Sequence, residues 1–154
     1  MTVFKGRTRV PASSTAHSIA ALLAEAGADQ VMTEYATGPD GGRRVSALSW
    51  TMTVPTHGQI PFRLPVRVDQ VHAYLKRRKD SRIPKTYEHA EMVAWRQAHA
   101  WVQAQLAFIQ SEMVGAVEVF LPYVALPGGR TFYEQLESGN FKALPLITHN
   151  QEVR

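Results

Sequence analysis

The chain has 154 residues, 45% of them apolar and 19% charged, a length and balance that suit one globular domain with its own core and argue against disorder. It contains no cysteine, which excludes disulfides, cysteine-held zinc, iron–sulfur clusters and a thiol nucleophile. Its 17 basic and 13 acidic residues leave a net charge of +4; one stretch at 72–85, "HAYLKRRKDSRIPK", holds 6 of the basic and 1 of the acidic residues, so it carries +5 and the rest of the chain −1.

The opening residues, "TVFKGRTRV", lack the apolar core of a secretion signal because Lys5, Arg7 and Arg9 interrupt them. No run approaches the roughly 18–20 apolar residues of a membrane span, so a soluble, cytoplasmic chain without a membrane partner is expected. The β-branched residues and alternating charges of 2–10 predict a short edge strand. Ser13 and Ser14 then offer N-caps to a helix in which Ile19, Leu22, Leu23 and Ala26 share a face, and Gly27 supplies its stop.

The segments "QVMTEYAT" and "RRVSALSWTMTVP", separated by "GPDGG", predict a β-hairpin. Val45, Ala47, Ser49 and Thr51 are expected on one face of its second strand, and Ser46, Leu48, Trp50 and Met52 on the other, more apolar face. A third strand follows, where Ile60, Phe62, Leu64 and Val66 alternate with Pro61, Arg63, Pro65 and Arg67. Its two prolines lack amide donors, which places this strand at a sheet edge. "DQVHAYLKRR" predicts two or three helical turns capped by Asp69, with Val71 and Leu75 inward, and the loop "DSRIPKT" comes next.

The residues 86–114 contain no glycine or proline and predict a long helix ended by Gly115. Trp95, Val102 and Ile109 form one line with Trp101 and Phe108 beside it, and Met92, Leu106 and Met113 flank the other side. So wide an apolar stripe fits a helix lying across a sheet better than a coiled-coil seam. The tail predicts a short apolar helix or strand, a turn at Pro127-Gly128-Gly129 and a short helix from Thr131 to Glu137. The expected fold is a single α+β domain over 1–154. A three- to four-stranded antiparallel meander is packed by one long helix and a shorter N-terminal helix, and the basic linker 72–85 joins the sheet to the long helix.

Candidate chemistry is sparse. The six histidines are His17, His57, His72, His89, His99 and His149. His89 and His99, both on the long helix, are ten residues apart and point about 80° away from each other at about 100° per residue, which does not make a metal pair. Glu88, Glu91, Glu112 and Glu118 form no recognisable acid pair, and Gln105 and Glu112 either mark the edge of the apolar stripe, the favoured reading, or are buried and hydrogen-bonded across to a strand. The clusters Gly38–Gly42 and Gly128–Gly129 serve turns, because neither leads into a helix with the Lys-Ser/Thr of a phosphate loop. Ser13, Ser14, Ser46 and Ser49 lack the setting of a nucleophile elbow. No catalytic residue, metal ligand or cofactor is therefore predicted, and an enzyme ranks last among the functions considered.

The basic stretch is what stands out. Lys76, Arg77, Arg78, Lys79, Arg82 and Lys85 carry the charge needed to neutralise phosphates, and Tyr74, with Tyr87 just beyond, offers a ring for stacking on unpaired bases. Arg43 and Arg44 at the hairpin and Arg63 and Arg67 on the third strand are positioned to extend such a surface. Against this stands the ordinary role of a charge run, a solvated segment that keeps the protein soluble, and Tyr74 equally suits anchoring a short helix to the core.

Three short motifs carry a resemblance. "GAD" (Gly27-Ala28-Asp29) follows the first helix, "FRLP" (Phe62 to Pro65) precedes a polar linker, and a turn of the form LPxGRT (Leu126 to Thr131) follows a long helix rich in Trp and Gln. In this order they resemble a family of small proteins from phages and mobile elements, over most of the chain; the resemblance implies that setting and supplies no catalytic residue. In architecture alone, a three-stranded meander followed by a long helix is similar to the core of Rad52-like single-strand annealing proteins, which implies ring-like homo-oligomers holding single-stranded DNA in a basic groove. The expected function is thus non-catalytic binding of single-stranded DNA or RNA, mainly through phosphates. The alternative is a protein-interaction module, such as an inhibitor of a host enzyme or defence system, whose basic segment meets an acidic surface.

Overall fold

The computed structural model describes residues 3–147. Its elements are α1 (Ala12–Glu25), β1 (Gln30–Thr37), β2 (Arg43–Val54), β3 (Gly58–Pro65), α2 (Val68–Arg77), α3 (Tyr87–Gln110), α4 (Ala116–Phe120), a 3-10 turn (Leu121–Tyr123) and α5 (Phe132–Ser138). The sheet is an antiparallel meander in the order β1-β2-β3, so the fold is α+β as expected. Among the described residues, no helix is long and apolar enough to cross a membrane. His149 lies outside the described residues.

Two clusters of buried side chains organise the molecule. The larger lies between the sheet and the helices: Ile19 and Leu23 of α1, Leu48, Trp50 and Met52 of β2, Phe62 of β3, Trp95 and Val102 of α3, and Phe120 of α4. Trp50 stacks on Phe62 with ring centres 5.5 Å apart, and Phe120 meets both rings edge-on at 5.3 and 5.8 Å. The smaller cluster joins α2 to the first turns of α3 through Val68, Leu75, Ile83, Ala90, Val93 and Ala94. The apolar stripe of α3 is wide because the helix belongs to both clusters. Its far end is less covered, with Phe108 49% and Met113 68% exposed, and it stops at Gln110, short of the expected 114.

The hairpin alternation differs from the expected one at a single point. Glu34 pairs with Ala47 but Tyr35 pairs with Val45, leaving Ser46 as an extra residue in β2. This bulge resets the period of two, so Val45 joins Leu48, Trp50 and Met52 in the core rather than lying opposite them. The freed Ser46 carbonyl accepts a bond from Val66 N–H at 2.9 Å as the chain leaves β3. As its prolines require, β3 is an edge strand. Its outer side holds only the isolated bridge Phe62↔Val124, with Ala125 N–H donating to Pro61 O at 2.9 Å. The glycine turn at 128–129, with φ of 91° and 84°, then returns the chain to Thr131, whose hydroxyl caps α5.

Three local expectations give way. Residues 3–10 form no strand. They run as an arm against α3, with Lys5 N–H donating to Gln97 Oε1 at 2.8 Å and His89 Nε2–H to Gly6 O at 2.6 Å. The arm's backbone groups thus find side-chain partners in place of a neighbouring strand. Helix α1 begins at Ala12, before Ser13 and Ser14, and neither α1 nor α2 has a side-chain cap. The basic linker is helical up to Arg77, and its irregular part is confined to residues 78–85.

Candidate functional site

The basic stretch divides into occupied and unoccupied cations. Lys76 and Arg77 sit on the last turn of α2, where positive charge complements the carbonyl end of the helix. Their side chains, like that of Lys79, are exposed and make no hydrogen bond or ion pair among the described residues. Arg78 is held from several sides: it donates to Tyr74 Oη at 2.9 Å and lies over the Phe4 ring at 5.0 Å. Lys85 turns inward to donate to the Arg78 carbonyl. Arg82 donates through two nitrogens to the Asp80 carboxylate, at 3.0 and 3.1 Å. Those bonds, with the Arg82 backbone N–H, hold the Asp80 carboxyl down at about 2.

Tyr74 is an anchor as well as a surface. Its ring is 41% exposed, yet its edge packs on Phe4 at 5.3 Å, so it fixes the N-terminal arm to α2. Tyr87 is half-buried and packs against His72 at 5.5 Å and under Arg44.

Of the four arginines expected to widen the surface, Arg63 and Arg44 are held by carboxylates, whereas Arg43 and Arg67 form no ion pair among the described residues. Arg63 donates to Glu34 at 3.0 Å on the outer face of the sheet. Burial raises the Glu34 carboxyl, but bonds from the Ser49 hydroxyl and Arg63 outweigh it and leave the group below its ordinary value. Arg44 bridges Asp40 at 2.7 Å and the buried Glu91 at 3.3 Å. Arg43 lies over the Tyr35 ring at 5.1 Å. Arg67 precedes α2, exposed and without an ion pair among the described residues. It borders a cleft of about 480 Å³ shared with Asp69, Glu134 and Glu137, a setting of mixed sign unlike the basic stretch.

What the sequence reasoning missed is the contribution of the arm. Docked against α3, it encloses a cleft of about 560 Å³ with the 78–83 loop. Lys5 and Arg7 from the arm, Arg78 and Arg82 from the loop, and Arg96 from α3 surround it, against one carboxylate, Asp80. Phe4 and the buried Ile83 supply its apolar lining. Arg96 Nε is buried with no acceptor among the described residues. The signals were present in the sequence: three cations in "KGRTR", and Arg96 as the only Lys or Arg of the long helix. Nothing local linked them to residues 78–82.

No group of three or more histidine or acidic side chains able to hold a metal occurs among the described residues. Glu112 is exposed at the end of α3 in a left-handed conformation, φ 61°, and Gln105 is half-buried, so the two form no enclosed acid site. Compared with known proteins, the chain matches no family model, no curated protein and no solved structure.

Proposed function

We propose that the protein binds single-stranded nucleic acid, in a phage or mobile-element setting, without acting on it chemically. The carrying observation is the set of exposed cations Lys76, Arg77 and Lys79 at and just past the end of α2, without side-chain partners among the described residues and followed by a loop that lines a cleft with five basic residues and one acid. Cations already paired within a protein gain little by meeting a phosphate, whereas unpaired ones release counterions from the strand when they do. The partly exposed ring of Tyr74, which accepts a bond from Arg78, gives an unpaired base a face to stack on, which a duplex would not offer.

Fluorescence anisotropy with labelled single- and double-stranded oligonucleotides over a salt series tests this. Single strands are expected to bind more tightly, with affinity falling steeply as salt rises. The triple variant Lys76→Ala, Arg77→Ala, Lys79→Ala should reduce the log–log salt slope by about 2, at roughly 0.7 per lost phosphate contact. No binding at low salt, or an unchanged slope in the variant, would overturn the assignment. Capture of an acidic protein with no affinity for oligonucleotides would overturn it in favour of a protein-interaction module.

A further inference from the structure

We infer that the cleft between the N-terminal arm and the 78–83 loop is a subsite for a phosphate monoester, such as the phosphorylated end of a bound strand. The inference rests on the proposed nucleic-acid binding only in taking the strand as the carrier of that phosphate. The cleft itself is set apart from the exposed cations of α2 by its walls and by its charge.

The walls come from three parts of the chain: residues 4–8, residues 78–83 and Arg96. Ile83, 5% exposed and packed among Val68, Leu75 and Val93, belongs to the smaller core cluster and closes the cleft inward. A recess with a packed floor suits a terminal group better than a strand passing through. Lys5, Arg7, Arg78, Arg82 and Arg96 face one carboxylate, Asp80, for a local excess of four positive charges. An internal phosphodiester brings one negative charge, whereas a monoester brings about −1.5 to −2 near neutral pH and three acceptor oxygens. The monoester therefore makes fuller use of the cleft.

Two features prepare the site. Arg78 is immobilised by Tyr74 and Phe4, so its guanidinium loses little freedom on binding. Arg96 Nε is buried and without an acceptor, a donor for which a phosphate oxygen would be a strong partner. In the Asp80–Arg82 pair the arginine side chain is 69% exposed and the carboxylate side chain only 17%. The pair keeps the Arg82 guanidinium beside the cleft while leaving it reachable from solvent.

The test compares the same short single-stranded oligonucleotide with 5′-phosphate, 3′-phosphate or hydroxyl ends, and a nucleoside monophosphate alone, by anisotropy and competition. One phosphorylated end should bind about tenfold more tightly than the hydroxyl end, the gain of one charge-assisted hydrogen bond. Arg7→Gln, an exposed arm position, and Arg96→Gln should each erase that preference, so that phosphorylated and hydroxyl-ended strands bind the variant alike. Thermal melting of each variant confirms that it is folded.

If hydroxyl-ended strands bind and phosphorylation at either end makes no difference, the subsite is refuted and the strand-binding proposal stands. If the monophosphate binds in an Arg7-dependent way but hydroxyl-ended strands do not, the subsite stands and strand binding falls. If neither binds, both fall. A preference that survives both variants would refute the assignment to this cleft.

Discussion

Replacing Gly6 by alanine tests how the arm is attached. An added Cβ would lie 2.6 Å from Phe4 Cε1 and 2.8 Å from Ile83 Cδ1, roughly an ångström inside ordinary carbon contact. The space is contested from both sides. The Phe4 ring is fixed by Tyr74 at 5.3 Å and by the Arg78 guanidinium at 5.0 Å, and Ile83 is buried. Either the ring leaves Tyr74, or Ile83 shifts within the smaller cluster, or the arm lifts and stretches the 2.6 Å bond from His89 Nε2–H to Gly6 O. Overpacking of this kind costs about 1–3 kcal/mol, which for a chain of this size lowers Tm by roughly 2–4 °C per kcal/mol.

The assay pairs thermal melting with limited trypsin digestion, since Lys5, Arg7 and Arg9 are cleavage points on the arm. Gly6→Ala should lower Tm and speed cleavage within the arm before the domain is cut. Ile83→Val removes the atom met at 2.8 Å, so in its background Gly6→Ala should cost less, a non-additivity that a double-mutant cycle measures. An unchanged Tm together with unchanged arm cleavage would refute the docking of residues 4–8 described above.

Three further outcomes follow from the packing and the ion pairs. Phe120→Ala should cost about 3–5 kcal/mol in urea unfolding, because its ring touches Trp50, Phe62 and Trp101; a loss below about 1 kcal/mol would mean that α4 does not seal the core. Burial raises the Glu91 carboxyl above its ordinary 4.5, outweighing the attraction of Arg44. Folding therefore favours its neutral form: its contribution is complete below pH 4.5 and is lost as pH rises through the folded value, so Tm of wild type minus Glu91→Gln should fall across that window, and a flat difference would refute it. Arg63→Ala should leave oligonucleotide affinity unchanged, since Glu34 already engages that cation, and a clear loss would place the outer face of the sheet in the binding surface.

The sequence made legible whatever is decided by near neighbours. The period-two alternation of 60–66 with its prolines located an edge strand, and the long glycine-free helix announced itself by apolar spacing. The failures share a cause. The arm was mistaken for a strand because its partners, His89 and Gln97, lie 83 and 92 residues away and are side chains. The displacement of Val45 depends on one bulged residue whose carbonyl is claimed by Val66. Arg44 looked like a free cation because Glu91 is 47 residues distant. Composition located the positive charge correctly in one stretch but could not say which charges are already paired, since pairing belongs to tertiary contacts.

That distinction bears on how binding and stability are arranged. Trp50, Phe62, Trp95 and Phe120 hold the sheet to the helices, and none of them touches the basic cleft. The arm, the 78–83 loop and α2 rest on the smaller cluster, which is joined to the larger one through α3 and Val66. Regions with few buried contacts open at lower free energy than the main core. A ligand that bridges Arg7, Arg82 and Arg96 would therefore tie the arm and the 78–83 loop to α3. On this argument, anion binding and the order of the arm are coupled in both directions: whatever loosens the arm weakens binding, and a bound phosphate protects the arm.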